Sequence, residues 1–469
     1  MRILYLADIR FPLERANGIQ SMETCHALAS RGHHVMLAVR PDSQTPARDP
    51  FAFYGLPRLN AAEYADHEEH AAEHTDRVEY SGGSLAIEVA PITGPVAARR
   101  AGYLTFALGR SLGRGRQDLI FTRDLGLASM LLRLPRTLRA PVVYEAHTIA
   151  ADEAAARPRM LTGATLPSAT KLQRLAARER RVWSSADGYV TITAGLKTEL
   201  ERRFGPRPRI AVVPDGARAA DQTDISATDP AGIPATDHTD PADIPAADDT
   251  DHAEQGPTRD SRLPGRNAQA PTGDSSQSAK STFAIGYAGH LYPWKGVDLI
   301  IEAVTALQDT CALIIGGHGQ EPDLARVKAL AVELDCAARV SFTGLLPPPQ
   351  VGARLREADV LVLPNPASAI SSAFTSPLKL FEYMAAGKPI VASDLPAIRE
   401  VLAHERNALL FEPGNPQALT AAIRRIKDDP VLAARLARQA AEDARLYTWA
   451  RRAESLETLF REVSGVCEA

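Results

Sequence analysis

The chain opens on a strand, a helix and a second strand, and that order restricts the fold more than any other feature. Arg2–Ala7 is a short apolar run, Phe11–Gly18 reads as a loop, Ile19–Arg31 has helical spacing and stops at Gly32, and Val35–Val39 is a second apolar run. The first run meets Asp8 and Arg10 too soon for a signal peptide and is read as a strand. Two strands joined through a helix pair in parallel with a right-handed crossover, and such a sheet is covered by helices on both faces. The pattern continues. Asp118–Thr122 and Pro141–Tyr144 are short strands around a helix expected at Leu125–Leu138. Asp187–Thr193, a helix at Ala194–Phe204 and a strand at Ile210–Val213 follow, and Pro214-Asp215-Gly216 reads as a closing turn.

From 217 to 282 the composition changes. There is no Phe, Tyr or Trp, and eleven Asp stand against five Lys and Arg. The units Thr228–Pro234 and Thr239–Pro245 are near copies. Such a stretch cannot bury enough apolar surface to order itself and is expected to be a disordered, acidic linker. Asp249-Thr250-Asp251 within it imitates a metal-binding Asp-x-Asp by chance of composition. His70–His74 matches His-x-x-Glu-His, but its flanks are charged and polar rather than periodic, and a solvated insertion is the better reading. The remaining chain is long enough for two domains: 469 residues, 45% of them hydrophobic. A net charge of −4 gives no bulk attraction to nucleic acid or to an anionic membrane. Cys25, Cys311, Cys336 and Cys467 lie scattered, which suits a reduced, cytoplasmic setting. No apolar run reaches spanning length.

The second half restarts at Phe283–Gly289, a strand running into a glycine turn. His290 follows, then Lys295-Gly296 before a helix expected at Val297–Leu307. A helix N-terminus beside an ammonium suits a diphosphate. Gly317-His318-Gly319 begins a dinucleotide fingerprint but lacks its third glycine, so hydride transfer is poorly supported. Ser376–Asp394 reads as a loop, a short helix with Leu378, Phe381 and Met384 on one face, and the buried strand Ile390–Ala392. Pro377 fits the first turn, where a missing N–H costs nothing. Lys379 in that turn opposes the helix dipole, which a bound phosphate near the Pro377-Leu378 amides would account for. Glu382, one turn on, could accept from both hydroxyls of a ribose. The segment equally fits an amphipathic helix with a solvated Lys and Glu.

In the first half, Gly18 at the start of a helix could admit a phosphate or sugar, or be an ordinary loop glycine. His147 comes directly after a strand, where a side chain points into the crevice of an open sheet. It could donate to a substrate hydroxyl, or bond its own loop. The arginine-rich helix Lys171–Trp183 suits either a solvated face or peripheral contact with a membrane or an acidic acceptor.

Together these pieces resemble family 4 of the retaining glycosyltransferases (glycosyl transferases group 1). The resemblance rests on Ala16–Gly18, Tyr144–His147, Val213–Gly216, Gly289–Gly296 and Pro377–Pro389. It implies the GT-B fold, two Rossmann-like α/β domains whose parallel sheets face each other across a cleft. The expected division is 1–216 on the acceptor side, the linker 217–282, the nucleotide-sugar domain 283–445, and a helix in 446–469 packing back on the first domain. The resemblance implies metal-independent transfer, with retention, of a hexose-type sugar from a nucleotide diphosphate sugar, with no cofactor. The acceptor is unassigned, whether a glycan, a lipid-linked molecule or a small molecule, and contact with the inner membrane face fits. It places Lys295 on the diphosphate, Glu382 on the ribose, His147 by the transferred sugar, and Gly18, His290, Pro377, Leu378 and Lys379 around the donor. Two positions depart from the family: His290 stands where an Arg is usual, and Phe374 where the first Glu of a Glu-x7-Glu pair is usual. They leave room for an inactive binding or scaffold subunit, and an epimerase acting on a nucleotide sugar is a further alternative.

Overall fold

The computed structural model describes residues 1–57, 75–92, 96–112, 116–218, 282–317, 322–368, 371–372 and 378–465. Two sheets organise them. The first contains β1 (Arg2–Arg10), β2 (His34–Arg40), β3 (Thr75–Tyr80), β4 (Gly83–Val89), β5 (Leu119–Thr122), β6 (Val142–Ala146), β7 (Gly188–Thr191) and β8 (Ile210–Val212), in the order β3-β4-β2-β1-β5-β6-β7-β8. The second contains β9 (Phe283–Ala288), β10 (Thr310–Ile315), β11 (Val340–Phe342), β12 (Val360–Leu363), β13 (Ile390–Ser393) and β14 (Leu409–Phe411), in the order β11-β10-β9-β12-β13-β14. Every pairing is parallel except β3 with β4, an antiparallel hairpin at the edge of the first sheet. Both sheets reverse their winding at a central strand, β1 and β9, and in open α/β sheets ligands bind beyond the carboxyl ends at that point.

The apolar strand runs are buried because helices cover both faces: every residue of β5, β6, β7, β12 and β13 is buried. Several elements differ from the sequence expectation. The first helix begins at Ala16, so Gly18 lies inside its first turn rather than in a loop. The helix expected at Leu125–Leu138 stops at Leu131, because Pro135 disfavours helical geometry in the residue before it. The helices Val96–Ser111, Ala150–Met160, Pro322–Glu333 and Pro348–Arg356 are additional to those read from periodicity. Among the described residues no helix is long and apolar enough to cross a membrane. The proposed linker, apart from residues 217, 218 and 282, lies outside the described residues, as do His70–His74, Phe374 and Pro377.

The last helix, Trp449–Ser464, packs against the first, Ala16–Ser30, and Phe460 meets Phe121 of β5 edge-on, with ring centroids 5.2 Å apart. Two chain segments cross there side by side, with the Ala217 N–H donating to the Tyr447 carbonyl at 2.9 Å. A Cβ on Gly216 would sit 2.7 Å from the Thr448 carbonyl carbon, so the crossing needs glycine. The halves also meet across the cleft. The Ala194 and Gly195 N–H groups donate to the Glu400 carboxylate, both at 2.8 Å, and Thr162 Oγ1 donates to Asp323 Oδ1 at 2.9 Å. Helix Ala150–Met160 packs on the turn Pro293–Lys295.

Candidate functional site

The second half supplies a cationic corner. Beyond β9 the chain makes the single 3-10 turn Pro293–Lys295, and Gly296 then caps the helix Val297–Ala306. Gly296 has φ +73° and a Cβ there would lie 2.0 Å from the Pro364 carbonyl oxygen, so only glycine holds Lys295 at this place. The Lys295 ammonium sits 3.9 Å from the centre of the Trp294 ring. Among the described residues no carboxylate pairs with it. Burial, and then the neighbouring Lys379 ammonium, push its pKa down to about 8.

Lys379 and Glu382 stand on the helix Leu378–Ala385. Leu378, Leu380, Phe381 and Met384 bury its apolar face, as the helical spacing predicts. The Tyr383 hydroxyl accepts from the Ala288 N–H at 2.7 Å and ties this helix to the end of β9. Lys379 Nζ donates to Glu382 Oε2 at 2.6 Å, so the two bind each other in this state. Glu382 also lines a cavity between the halves with Glu23, Arg218, Arg356, Gly216 and Trp449. Burial pushes the Glu23 carboxyl up; its ion pair with Arg218 opposes this and nearby Glu382 adds to it. His290 stacks on Tyr292, with ring centroids 4.9 Å apart.

The first half supplies a buried polar cluster at the carboxyl end of β6. His147 gives its Nε2 side to Glu145 Oε1, and Gln20 Nε2 donates to the same oxygen at 2.5 Å and to Asp215 Oδ1 at 2.9 Å. The Gln20 amide is oriented by Arg123, which donates to its oxygen. The other Glu145 oxygen accepts from Arg452, which donates further to the Val213 carbonyl at 2.9 Å and the Pro214 carbonyl at 3.0 Å. The side chain of Glu145 is 0% exposed and that of Arg452 1%. Burial acts to raise the Glu145 pKa, but Arg452 and His147 outweigh it and hold the carboxyl well below the usual range. Burial and Arg123 lower the His147 pKa against the pull of Glu145, so the imidazole is neutral at neutral pH. Its one N–H then belongs to Glu145. In this structure the His147 ring is thus held by Glu145, two residues back on the strand that precedes it.

Gly18 has a packing constraint of its own: a Cβ on it would lie 2.5 Å from both the Leu13 carbonyl oxygen and the Tyr54 hydroxyl. Lys295, Lys379 and Glu382 come together in the second half, and the His147 loop leads into the helix that packs on the Lys295 turn. Gln20, Arg123 and Arg452 were absent from the sequence reading, and Glu145 and Asp215 entered it only inside the Tyr144–His147 and Val213–Gly216 segments, with no role of their own. One signal was available: Glu145 is a lone charge in a strand that otherwise reads as buried on both faces.

A doubly wound sheet on each side of a cleft, cations at one wall and a half-buried histidine at the other, defines a GT-B architecture. Two family models match: "Glycosyl transferase 4-like domain" over residues 18–216 and "Glycosyl transferases group 1" over residues 282–429. The chain belongs to the group 1 glycosyltransferases with the GT-B fold. It is 28% identical over 188 residues to the D-inositol 3-phosphate glycosyltransferase of Corynebacterium glutamicum (strain R), a match covering 39% of this chain and 44% of that relative. It is 30% identical over 171 residues to the lipopolysaccharide core biosynthesis glycosyltransferase LpsD of Rhizobium meliloti (strain 1021), covering 36% and 46%. Each match thus spans less than half of the relative's length. Among solved structures, the sucrose-phosphate synthase of Thermosynechococcus elongatus superposes with a TM-score of 0.66 at 18% identity, covering 99% of both chains. Anabaena HepE in complex with UDP-glucose superposes with a TM-score of 0.59 at 17% identity, covering 98% and 99%.

Proposed function

We propose that this chain transfers a hexose-type sugar from a nucleoside diphosphate donor to an acceptor hydroxyl, with retention at the anomeric carbon and without a metal. The observation that carries this reading is the pairing of two like charges, Lys295 and Lys379, at the carboxyl end of β9. Lys295 is depressed by burial and by its neighbour. Lys379 is answered by Glu382 in this state, but Lys295 has no carboxylate partner among the described residues, and a diphosphate supplies an anion that both ammoniums can share. In the transfer, the bond from C1 to the diphosphate oxygen breaks while the acceptor oxygen bonds C1 on the same face. The acceptor proton leaves with the diphosphate. Lys295, Lys379 and the amides at the start of helix Leu378–Ala385 stabilise the charge growing on the leaving group. Glu382 exchanges Lys379 for the ribose hydroxyls. His290 and Leu378 shape the walls around the donor.

A panel of nucleotide sugars, read by thermal shift and then by release of nucleoside diphosphate, tests this. One donor should raise the melting temperature and be slowly hydrolysed. Binding without hydrolysis or transfer for every donor would point to a binding subunit instead, and conversion to an isomeric nucleotide sugar to an epimerase.

A further inference from the structure

Arg452 lies on the last helix, yet its guanidinium reaches the strand that carries His147. Its Nη2 bonds Glu145 Oε2, its Nε donates to Thr24 Oγ1 at 3.1 Å, and its Nη1 lies 3.8 Å from Asp215 Oδ1. Those contacts turn the Glu145 carboxylate so that its remaining oxygen faces His147 Nε2 and Gln20 Nε2. An ionised carboxylate only accepts, so the nitrogen bonded to it carries the imidazole proton. The Gln20 amide nitrogen also lies 3.2 Å from His147 Nε2, but its two hydrogens are directed to Glu145 Oε1 and Asp215 Oδ1 and its oxygen is held by Arg123, so Gln20 neither accepts the imidazole proton nor has a hydrogen left to give Nε2. Nδ1 has no partner among the described residues, and the His147 side chain keeps 20% of its surface exposed.

We propose that Arg452 is a positioning residue: by holding Glu145 it fixes His147 as the Nε2–H tautomer and leaves Nδ1 as a bare acceptor for a substrate hydroxyl. The identity of that hydroxyl, on donor sugar or acceptor, rests on the transferase reading above; the tautomer does not. The charges around the ring support this arrangement. Glu145 on β6 and Asp215 on the turn after β8 are anionic; Arg123 after β5 and Arg452 on the last helix are cationic. Gln20 and Thr24 on the first helix and Tyr5 on β1 complete the surroundings as neutral groups. The cluster balances only while His147 is neutral. Remove the Arg452 charge, and the cheapest compensation for a buried anion is a proton on His147.

The test is long-range 1H–15N correlation on the full chain labelled at histidine, with His147 assigned from His147→Gln. In the native protein at pH 7, Nε2 should carry the proton and Nδ1 should not. In Arg452→Met the apparent pKa of His147 should rise by about 1–3 units, the usual effect of one nearby charge. Arg452→Lys keeps the charge and should restore the native titration. A native Nδ1–H tautomer overturns the proposal by itself, even if Arg452→Met does not fold. So does a His147 titration equal in native protein, Arg452→Met and Arg452→Lys. Neither result touches the transferase reading, which is decided by donor consumption.

Discussion

Lys295 is held where its own charge is unwelcome, and that has a measurable sign. Burial first and Lys379 second depress its pKa to about 8. The unfolded chain restores it to the ordinary lysine value near 10.4. Between those values the unfolded state binds more protons, so stability rises with pH across the window, and the full penalty is present below about 8. Lys295→Met removes the penalty while keeping an apolar stem against Trp294. Its melting temperature at pH 7 should exceed that of the native chain, and the gap should close toward pH 10. Turnover should fall by about 10²–10³-fold, as when one preorganised group that stabilises developing charge is lost. A melting temperature lower than native at pH 7 would mean that the ammonium is a structural group. The same depression makes donor binding take up protons, since a diphosphate returns Lys295 toward its ordinary value. Titration calorimetry at pH 8.5 in buffers of different ionisation heat should therefore give different apparent enthalpies, and affinity should weaken as pH rises past 8. Equal enthalpies would place the diphosphate elsewhere. The lysines were legible as isolated residues because each stands at a helix start; the salt bridge between Lys379 and Glu382, at 2.6 Å, was open to an i,i+3 reading but was read as two separate ligands.

Among the elements, the last helix carries weight out of proportion to its position. It closes the first domain's core through Trp449, Leu456, Leu459 and Phe460, and it delivers Arg452 to Glu145 of β6. Phe460→Ala should cost about 3–5 kcal/mol, the usual loss for a large aromatic deleted from a packed core. Urea unfolding followed by first-half fluorescence would show it, and a loss below about 1 kcal/mol would mean that the helix only rests on that core. The contribution of this helix to the site could not be read from the sequence. Arg452 is 307 residues from Glu145, and a charged residue on an amphipathic helix is ordinarily solvated. The central strands were legible for the opposite reason: with both faces covered they become continuous apolar runs, as in Val360–Leu363 and Ile390–Ala392. The edge hairpin β3–β4 was not, because β3 opens with the polar run Thr75-Asp76-Arg77 and has only Val78 and Tyr80 as apolar residues, too few to show a strand's alternation.

At the scale of the whole molecule, the two halves meet at the Lys295 turn and also through two polar contacts away from the lysines. Glu400 caps the N-terminus of helix Ala194–Phe204, and Thr162 donates to Asp323. A carboxylate at an exposed helix N-terminus contributes about 0.3–1 kcal/mol and is screened by salt. A single net hydrogen bond contributes about 1 kcal/mol. Together they bias closure by about tenfold, since 1.4 kcal/mol is a factor of ten. A bias of that size from these two contacts is small enough for a ligand or a substitution to offset. Glu400→Ala combined with Thr162→Val should shift the chain toward an open arrangement, and the native chain in 1 M salt should move part of the way. Spin labels at Leu138→Cys and Val332→Cys, both on exposed surface in opposite halves, would report the distance between them. The double variant should show a longer, broader distribution, and saturating donor should restore the native one, because a diphosphate bound at Lys295 favours the arrangement that brings the helix after His147 onto the Lys295 turn. Identical distributions for native and double variant in low salt would mean that the crossing of Gly216 with Thr448, rather than these two contacts, sets the angle between the halves.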